Sequence, residues 1–340
     1  MNGLENKENL TILAIESSCD ETACAILRDG VILGEKISTQ IAIHKEYGGV
    51  VPEIASRNHV LDVDRVVKEC VKESGVTLDE IDVVAVTKGA GLLGSLLVGV
   101  SYAKGLAYAL DKPLLGVNHI RGHVAANYLE YDLPFPHVAL IVSGGHSALA
   151  IVNSKTDFHI VGSTRDDAAG EAFDKVARVL NLPYPGGPEI EKLAAIGKPT
   201  IPMPKVKMQN PYDFSYSGLK TAVINYVHNA KQKGATINGA DLACSFQKAA
   251  VDMLAEKAVA LAEEKELKII AVAGGVAANG ALRETLTSLS ESKGITAYFP
   301  PKKLCTDNAK MIASEAYGQI RSGCDFSDYT LDALATLPFS

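Results

Sequence analysis

Thr11-Ile-Leu-Ala-Ile15, Glu16-Ser-Ser-Cys-Asp-Glu-Thr22 and Ala23-Cys-Ala-Ile-Leu27 follow one another without a break near the start of the chain. An apolar run, a short polar loop and a returning apolar run make the pattern of a β-hairpin. An Asp29-Gly30 turn leads on to a third apolar run, Val31 to Ile37. The same device recurs downstream as Val138-Ala-Leu-Ile-Val142, Ser143-Gly-Gly-His-Ser147 and Ala148-Leu-Ala-Ile-Val152, with a third run near Phe158 to Gly162. Helical material follows each copy, Ile54 to Lys72 in the first and Gly170 to Leu180 in the second. Each copy also offers a parallel-type strand feeding a helix: Val83 to Thr87 before a helix near Leu92, and Ile269 to Ala273 before one near Ala281. Strands alternating with helices predict α/β layers. The duplication predicts two similar lobes facing each other across a central cleft.

At 340 residues the chain is too long for one comfortable core. Pro134 and Pro136 punctuate it between the copies, which places the lobes at 1–130 and 131–340. A content of 47% hydrophobic and 21% charged residues is globular. The six cysteines form no CxxC pair, which argues against a disulfide framework or a structural zinc and for a reducing compartment. Met1 to Leu10 is polar, with no apolar signal-peptide core. Gly91 to Leu110 is as long as a membrane span but holds Lys104, Ser95, Ser101 and glycines, so a buried helix is predicted. These features predict a cytoplasmic protein with no membrane partner. A protein that grips nucleic acid alone usually shows a basic surplus, and at a net charge of −7 any RNA contact needs a local patch or a helper subunit. Lys192 to Tyr212, with four lysines and no acid, is one such patch, or simply a solvated proline-bearing loop.

Several residues are suited to chemistry. The Ser143-Gly144-Gly145 loop can turn backbone N–H groups toward a phosphate, or serve only as a turn. Ser17-Ser18-Cys19-Asp20 is its apparent duplicate. Ala273-Gly-Gly-Val-Ala-Ala-Asn279 follows a strand and opens a helix, where Asn279 can bond a nucleoside hydroxyl or cap the helix. His119 and His123 stand four apart, which on a helix puts both rings on one face and within reach of one cation. A third ligand must come from elsewhere. Asp307 stands just before a predicted helix, Ala309 to Ile320, where N-capping is the alternative role. The spacing of the histidines is that of a zinc protease, but Ile120 replaces the glutamate that would activate water.

A set of longer motifs extends these observations. It comprises Glu16 to Thr22, Tyr47-Gly-Gly-Val-Val-Pro-Glu53, His119-Ile-Arg-Gly-His123, Ser143 to Ser147, Asp166-Asp-Ala-Ala-Gly-Glu-Ala-Phe-Asp174-Lys and Tyr184-Pro-Gly-Gly-Pro188. Phe214-Ser-Tyr-Ser-Gly-Leu-Lys220, Ala273 to Asn279 and Cys305-Thr-Asp-Asn308 complete it. In this order, from about Ile12 to Ala335, the chain resembles the transferases that install threonylcarbamoyl on tRNA adenosine. That is the TsaD, Kae and Gcp family, formerly called O-sialoglycoprotein endopeptidases.

The resemblance implies a duplicated two-lobe α/β fold of the actin-like type shared by sugar kinases and heat-shock chaperones. It implies one divalent metal per subunit, Fe2+ or Zn2+, held by His119, His123 and Asp307. It implies that Ile141, Val142, Ser143, Gly144, Gly145, Asp174, Gly187, Glu191 and Asn279 contact threonylcarbamoyl-AMP. The implied reaction moves the threonylcarbamoyl group to N6 of the adenosine immediately 3′ of the anticodon, in tRNAs reading codons that start with adenine, and releases AMP. The implied partners are tRNA, a paralogous actin-like subunit (TsaB type) docking on the first lobe, and a small ATPase (TsaE type). Asp174 as an exposed helix acid and Gly187 as a turn residue remain simpler readings. No general base is evident, with Asp20 and Glu21 as candidates. The rival functions are a metalloprotease and an ATP-driven, chaperone-like binding protein of the same fold.

Overall fold

The opening hairpin forms as β1 (Thr11–Glu16) and β2 (Glu21–Arg28) in the computed structural model, which describes residues 3–338. The two strands pair antiparallel from Thr11 opposite Arg28 to Glu16 opposite Ala23. Asp29 and Gly30, both at positive φ (47° and 83°), turn the chain into β3 (Val31–Thr39). Positive φ at both central positions matches the right-handed strand twist and keeps the hairpin tight. Then come the short α1 (Ile41–Lys45), α2 (Pro52–Ser74), β4 (Val83–Gly89), α3 (Leu93–Leu110), β5 (Leu114–Asn118) and α4 (His119–Ala125). The strand order is β3-β2-β1-β4-β5, with β1, β4 and β5 parallel. All six residues of β1 are buried, as befits a central strand covered on both faces. Leu13, Ile15, Cys24, Ile26 and Val86 face Val63, Val67 and Cys70 of α2 and Leu96 and Val100 of α3.

The second sheet repeats this plan. Its elements are β6 (His137–Val142), β7 (Ser147–Val152), β8 (Phe158–Ser163), α5 (Ala169–Val179), α6 (Gly186–Ala194), α7 (Ser217–Gln232), α8 (Gly239–Glu264), β9 (Ile269–Ala273), α9 (Gly280–Glu291) and β10 (Thr296–Tyr298). The order is β10-β9-β6-β7-β8, with β6 antiparallel to β7 and parallel to β9. Val138, Leu140 and Leu149 pack with Phe173 of α5, Phe246 of α8 and Leu282 of α9. The Phe173 and Phe246 rings meet edge to face at 5.1 Å, the arrangement their quadrupoles favour.

α10 (Ala309–Arg321) alters the expected division at residue 130. One compact unit takes in the chain up to Leu133, Asn153–Phe158 and the described residues from Thr306 on; the other holds Pro134–Val152 and His159–Cys305. Asp307 therefore belongs with His119 and His123, not with a lobe spanning 131–340. The cause is packing: α10 lies on β1, β2 and α4, and its Ala309 meets Ala23 and Ala25 of β2. The buried helix expected at Gly91 to Leu110 also differs. α3 is long and apolar enough to cross a membrane by length and composition, yet only a third of it is buried. Ser95, Leu96, Gly99, Val100, Ala103 and Ala107 form its buried stripe, while Leu93, Leu97 and Tyr108 are exposed.

Candidate functional site

β5 runs directly into α4, and Asn118 caps that helix by accepting from the Ile120 and Arg121 amides at 2.9 and 3.4 Å. The cap fixes the register that puts His119 and His123 on one face, their ring centroids 4.6 Å apart. Both rings are buried. Asp307 Oδ1 lies 3.5 Å from His119 Nε2 and 3.2 Å from His123 Nε2. Asn308, not Asp307, caps α10, accepting from the Met311 amide at 3.0 Å. The carboxylate of Asp307 is thereby left to face the histidines. α10 is held against α4 by Ser314 Oγ donating to the Ala125 carbonyl at 2.8 Å and by Arg121 paired with Glu315 at 2.8 Å.

The donor atoms of His119, His123 and Asp307 all lie within 4.8 Å of one another. Among the described residues neither ring nitrogen of His123 makes a hydrogen bond, and Nε2 has only its 3.2 Å contact with Asp307, although the ring is enclosed. A buried lone pair without a partner is costly, and a cation would satisfy it. Two imidazoles and one carboxylate suit Fe2+ or Zn2+ better than a hard ion. The residues fit a divalent transition metal.

Electrostatics favour a cation here. Burial lowers the pKa of His119, but the carboxylates of Asp307 and Glu16 outweigh it and hold the ring up at about 9. A metal must displace that proton. Burial, with Asp20 and Asp307 nearby, pushes Glu21 up to about 10. Glu16, which closes β1, stands 3.2 Å from His119 Nδ1, a role its motif alone does not announce. The signal was there, an acid closing an otherwise apolar central strand.

The other residues singled out by sequence lie in the second unit. The Ser143 amide donates to the His146 carbonyl at 2.8 Å and the His146 amide to Ser143 Oγ at 3.1 Å, closing a turn with Gly144 and Gly145 at its exposed tip. Among the described residues, neither Gly144 nor Gly145 N–H donates to anything. The turn is braced by the start of α5, where Gly170 and Glu171 amides donate to the Ser143 and Gly144 carbonyls. A Cβ on Gly170 would stand 2.8 Å from Gly144 Cα, so that approach needs glycine. Gly274, at φ +93°, sits against the Val142 carbonyl, which a Cβ would meet at 2.5 Å.

Asp174 Oδ1 accepts the Gly186 amide at 2.7 Å and so caps α6, whose first turn contains Gly187. Glu191, further along α6, accepts the Gly280 amide at 2.8 Å. Asn279 caps α9 through the Leu282 amide at 3.0 Å and donates to Gln247 Oε1 at 3.0 Å. These contacts link the Ser143 turn, Asp174, Gly187, Glu191 and Asn279 into one circuit, with Gln247 an unforeseen member. Ile141 and Val142 are fully buried in β6, so any ligand contact from them is through the main chain.

A family model described as "TsaD: tRNA N6-adenosine threonylcarbamoyltransferase" matches residues 31–314. A Moorella thermoacetica protein named tRNA N6-adenosine threonylcarbamoyltransferase is 54% identical over 333 residues, covering 97% of each chain. Among solved structures, HypF of T. kodakarensis superposes with a TM-score of 0.66 at 15% identity, covering 93% of this chain and 48% of its own. Component A of the (R)-2-hydroxyglutaryl-CoA dehydratase of Acidaminococcus fermentans gives a TM-score of 0.52 at 16% identity, covering 92% and 99%. At such identities these two show the fold alone, which is the duplicated actin-like one.

Proposed function

The chain belongs to the tRNA N6-adenosine threonylcarbamoyltransferase family, and from that premise we propose that it transfers threonylcarbamoyl from threonylcarbamoyl-AMP to the N6 amine of the adenosine 3′ of the anticodon, in tRNAs reading codons that start with adenine. The observation that carries this reading is the enclosed His119–His123–Asp307 cluster without a water-activating glutamate beside His119. That absence disfavours the metalloprotease alternative. In the transfer, N6 bonds to the carbamoyl carbon, the bond from that carbon to the phosphate oxygen breaks, and AMP leaves with the electron pair while the amine gives up a proton.

A bound divalent cation, iron or zinc, supplies charge neutralisation at the donor's oxygens. His119, His123 and Asp307 would hold it. The Gly144 and Gly145 amides, with no internal partner, suit the phosphate. Glu191 and Asn279, fixed by their bonds to α9, suit the ribose and base, and Asp174 sets the start of α6 near Gly187. Such fixed donors offset charge without reorganising during reaction.

The partners belong to the same proposal. Leu61 is 77% and Val60 62% exposed on α2, and the neighbouring α3 exposes Leu93 and Leu97. Apolar residues open to water on two adjacent helices suit docking of a paralogous actin-like subunit. A small ATPase would complete the assembly, and the net charge of −7 fits a subunit that needs help holding tRNA. Six free cysteines fit a reducing cytoplasm.

The test is reconstitution with the partner proteins, tRNA, threonine, bicarbonate, ATP and an adenylate-forming enzyme, followed by analysis of the nucleosides. Modified adenosine that disappears with a folded His119→Ala variant is the expected result. Undiminished product from that variant would remove the metal from the mechanism.

A further inference from the structure

Glu16 is the one acid in β1, and its side chain is 0% exposed. Its Oε1 accepts the Ser18 amide at 2.5 Å, and its Oε2 accepts the Thr87 hydroxyl, from β4, also at 2.5 Å. Oε2 also lies 3.2 Å from His119 Nδ1, the ring nitrogen turned away from Asp307. Ser18 Oγ stands 3.1 Å from the same nitrogen. Among the described residues, the one ion-pair partner of Glu16 is His119. A wholly enclosed carboxylate is expensive unless it is paired and hydrogen-bonded.

We propose that Glu16 is a positioning residue for the metal centre: it accepts the Nδ1–H of His119, fixes the ring in the tautomer that bares Nε2, and so raises affinity for a divalent cation. The inference rests on reading His119, His123 and Asp307 as metal ligands. A carboxylate facing Nδ1 accepts a proton and donates none, so the hydrogen stays on Nδ1 and the Nε2 lone pair stays available. Such a hydrogen bond also makes the ring a stronger donor to the cation. Glu16 and Asp307 together carry the two negative charges that balance a divalent ion. His123 lacks this arrangement, because its Nδ1 is buried with no hydrogen-bond partner among the described residues. The two histidines are therefore unequal ligands.

The test strips metal from the full chain and titrates it with Co2+, following visible absorption and, by chelator competition, the dissociation constant. Glu16→Gln keeps the size and an acceptor but removes the charge. Co2+ binding about 10- to 100-fold weaker, with a changed absorption band and an unchanged melting temperature of the metal-free protein, is expected. Thr87→Val, which removes the hydroxyl that anchors Oε2 beside Nδ1, should weaken binding in the same direction by less. A folded Glu16→Gln with the wild-type dissociation constant and band overturns the inference. If Glu16→Gln does not fold, Thr87→Val decides, and wild-type Co2+ binding by it overturns the inference. A wild-type chain that binds no Co2+ instead sinks the metal reading itself, and the inference with it.

Discussion

The two sheets share one strand order, β3-β2-β1-β4-β5 against β8-β7-β6-β9-β10, yet the turn after the central strand differs completely between them. After β1 the turn is packed inward: Ser17, Ser18 and Asp20 are buried, and Glu16 beside them binds His119. After β6 it ends in two exposed glycines whose amides donate to nothing among the described residues. The first unit gathers side-chain lone pairs, a group that could hold a cation. The second presents main-chain N–H groups, the kind of concavity that suits an anion. One scaffold can thus carry opposite polarities, because the sheet sets where a turn sits and the turn's side chains set its sign.

The sharpest way to break this comparison is Asp307→Ala. Loss of bound metal and a fall in product formation of about 100- to 1000-fold are expected, since such an ion stabilises a transition state by several kcal/mol. Adenylate affinity, measured by calorimetry at the second unit's residues, should change far less. An equal loss of adenylate binding would mean that the two polarities are not separable.

Gly274→Ala probes the other side. With φ at +93° and a Cβ 2.5 Å from the Val142 carbonyl, it should cost about 2–3 kcal/mol in urea unfolding and weaken adenylate binding, leaving Co2+ affinity intact. Glu21→Gln tests how acidic the first turn is. The raised pKa of Glu21, about 10 against an ordinary 4.5, means the folded state keeps a proton that the unfolded chain releases. Stability from this group therefore falls as pH climbs from about 4.5 toward 10. In urea unfolding of the metal-free protein the variant should be more stable than the parent at pH 8 and lose the advantage at pH 4. The smallest effect is that of Asp174→Ala, about 1 kcal/mol for a lost helix cap, with weaker adenylate binding as its companion.

Much of this was legible beforehand. The alternation of apolar runs and turns gave both hairpins, and the four-residue spacing put His119 and His123 on one helical face. The unit that holds Asp307 was not legible, because nothing near residue 307 says where α10 docks. That depends on the shallow alanine face of β2, some 280 residues earlier, meeting the buried side of α10. The exposure of α3 was hidden for a related reason, since composition reports how apolar a helix is and not how much of it finds a partner. Glu16 and Gln247 were missed because each acts through another residue, and only distances reveal such a role.

The return of the chain at Thr306 has a consequence in time. His119 and His123 leave the ribosome early, whereas Asp307 follows about 180 residues later. At ordinary elongation rates the delay is roughly ten to forty seconds. During that interval the nascent first unit has its histidines but lacks both Asp307 and the helix that covers the alanine face. Completion of the His119, His123 and Asp307 cluster is then one of the last events in the protein's biogenesis, and a ribosome that stalls before residue 307 releases a chain without it.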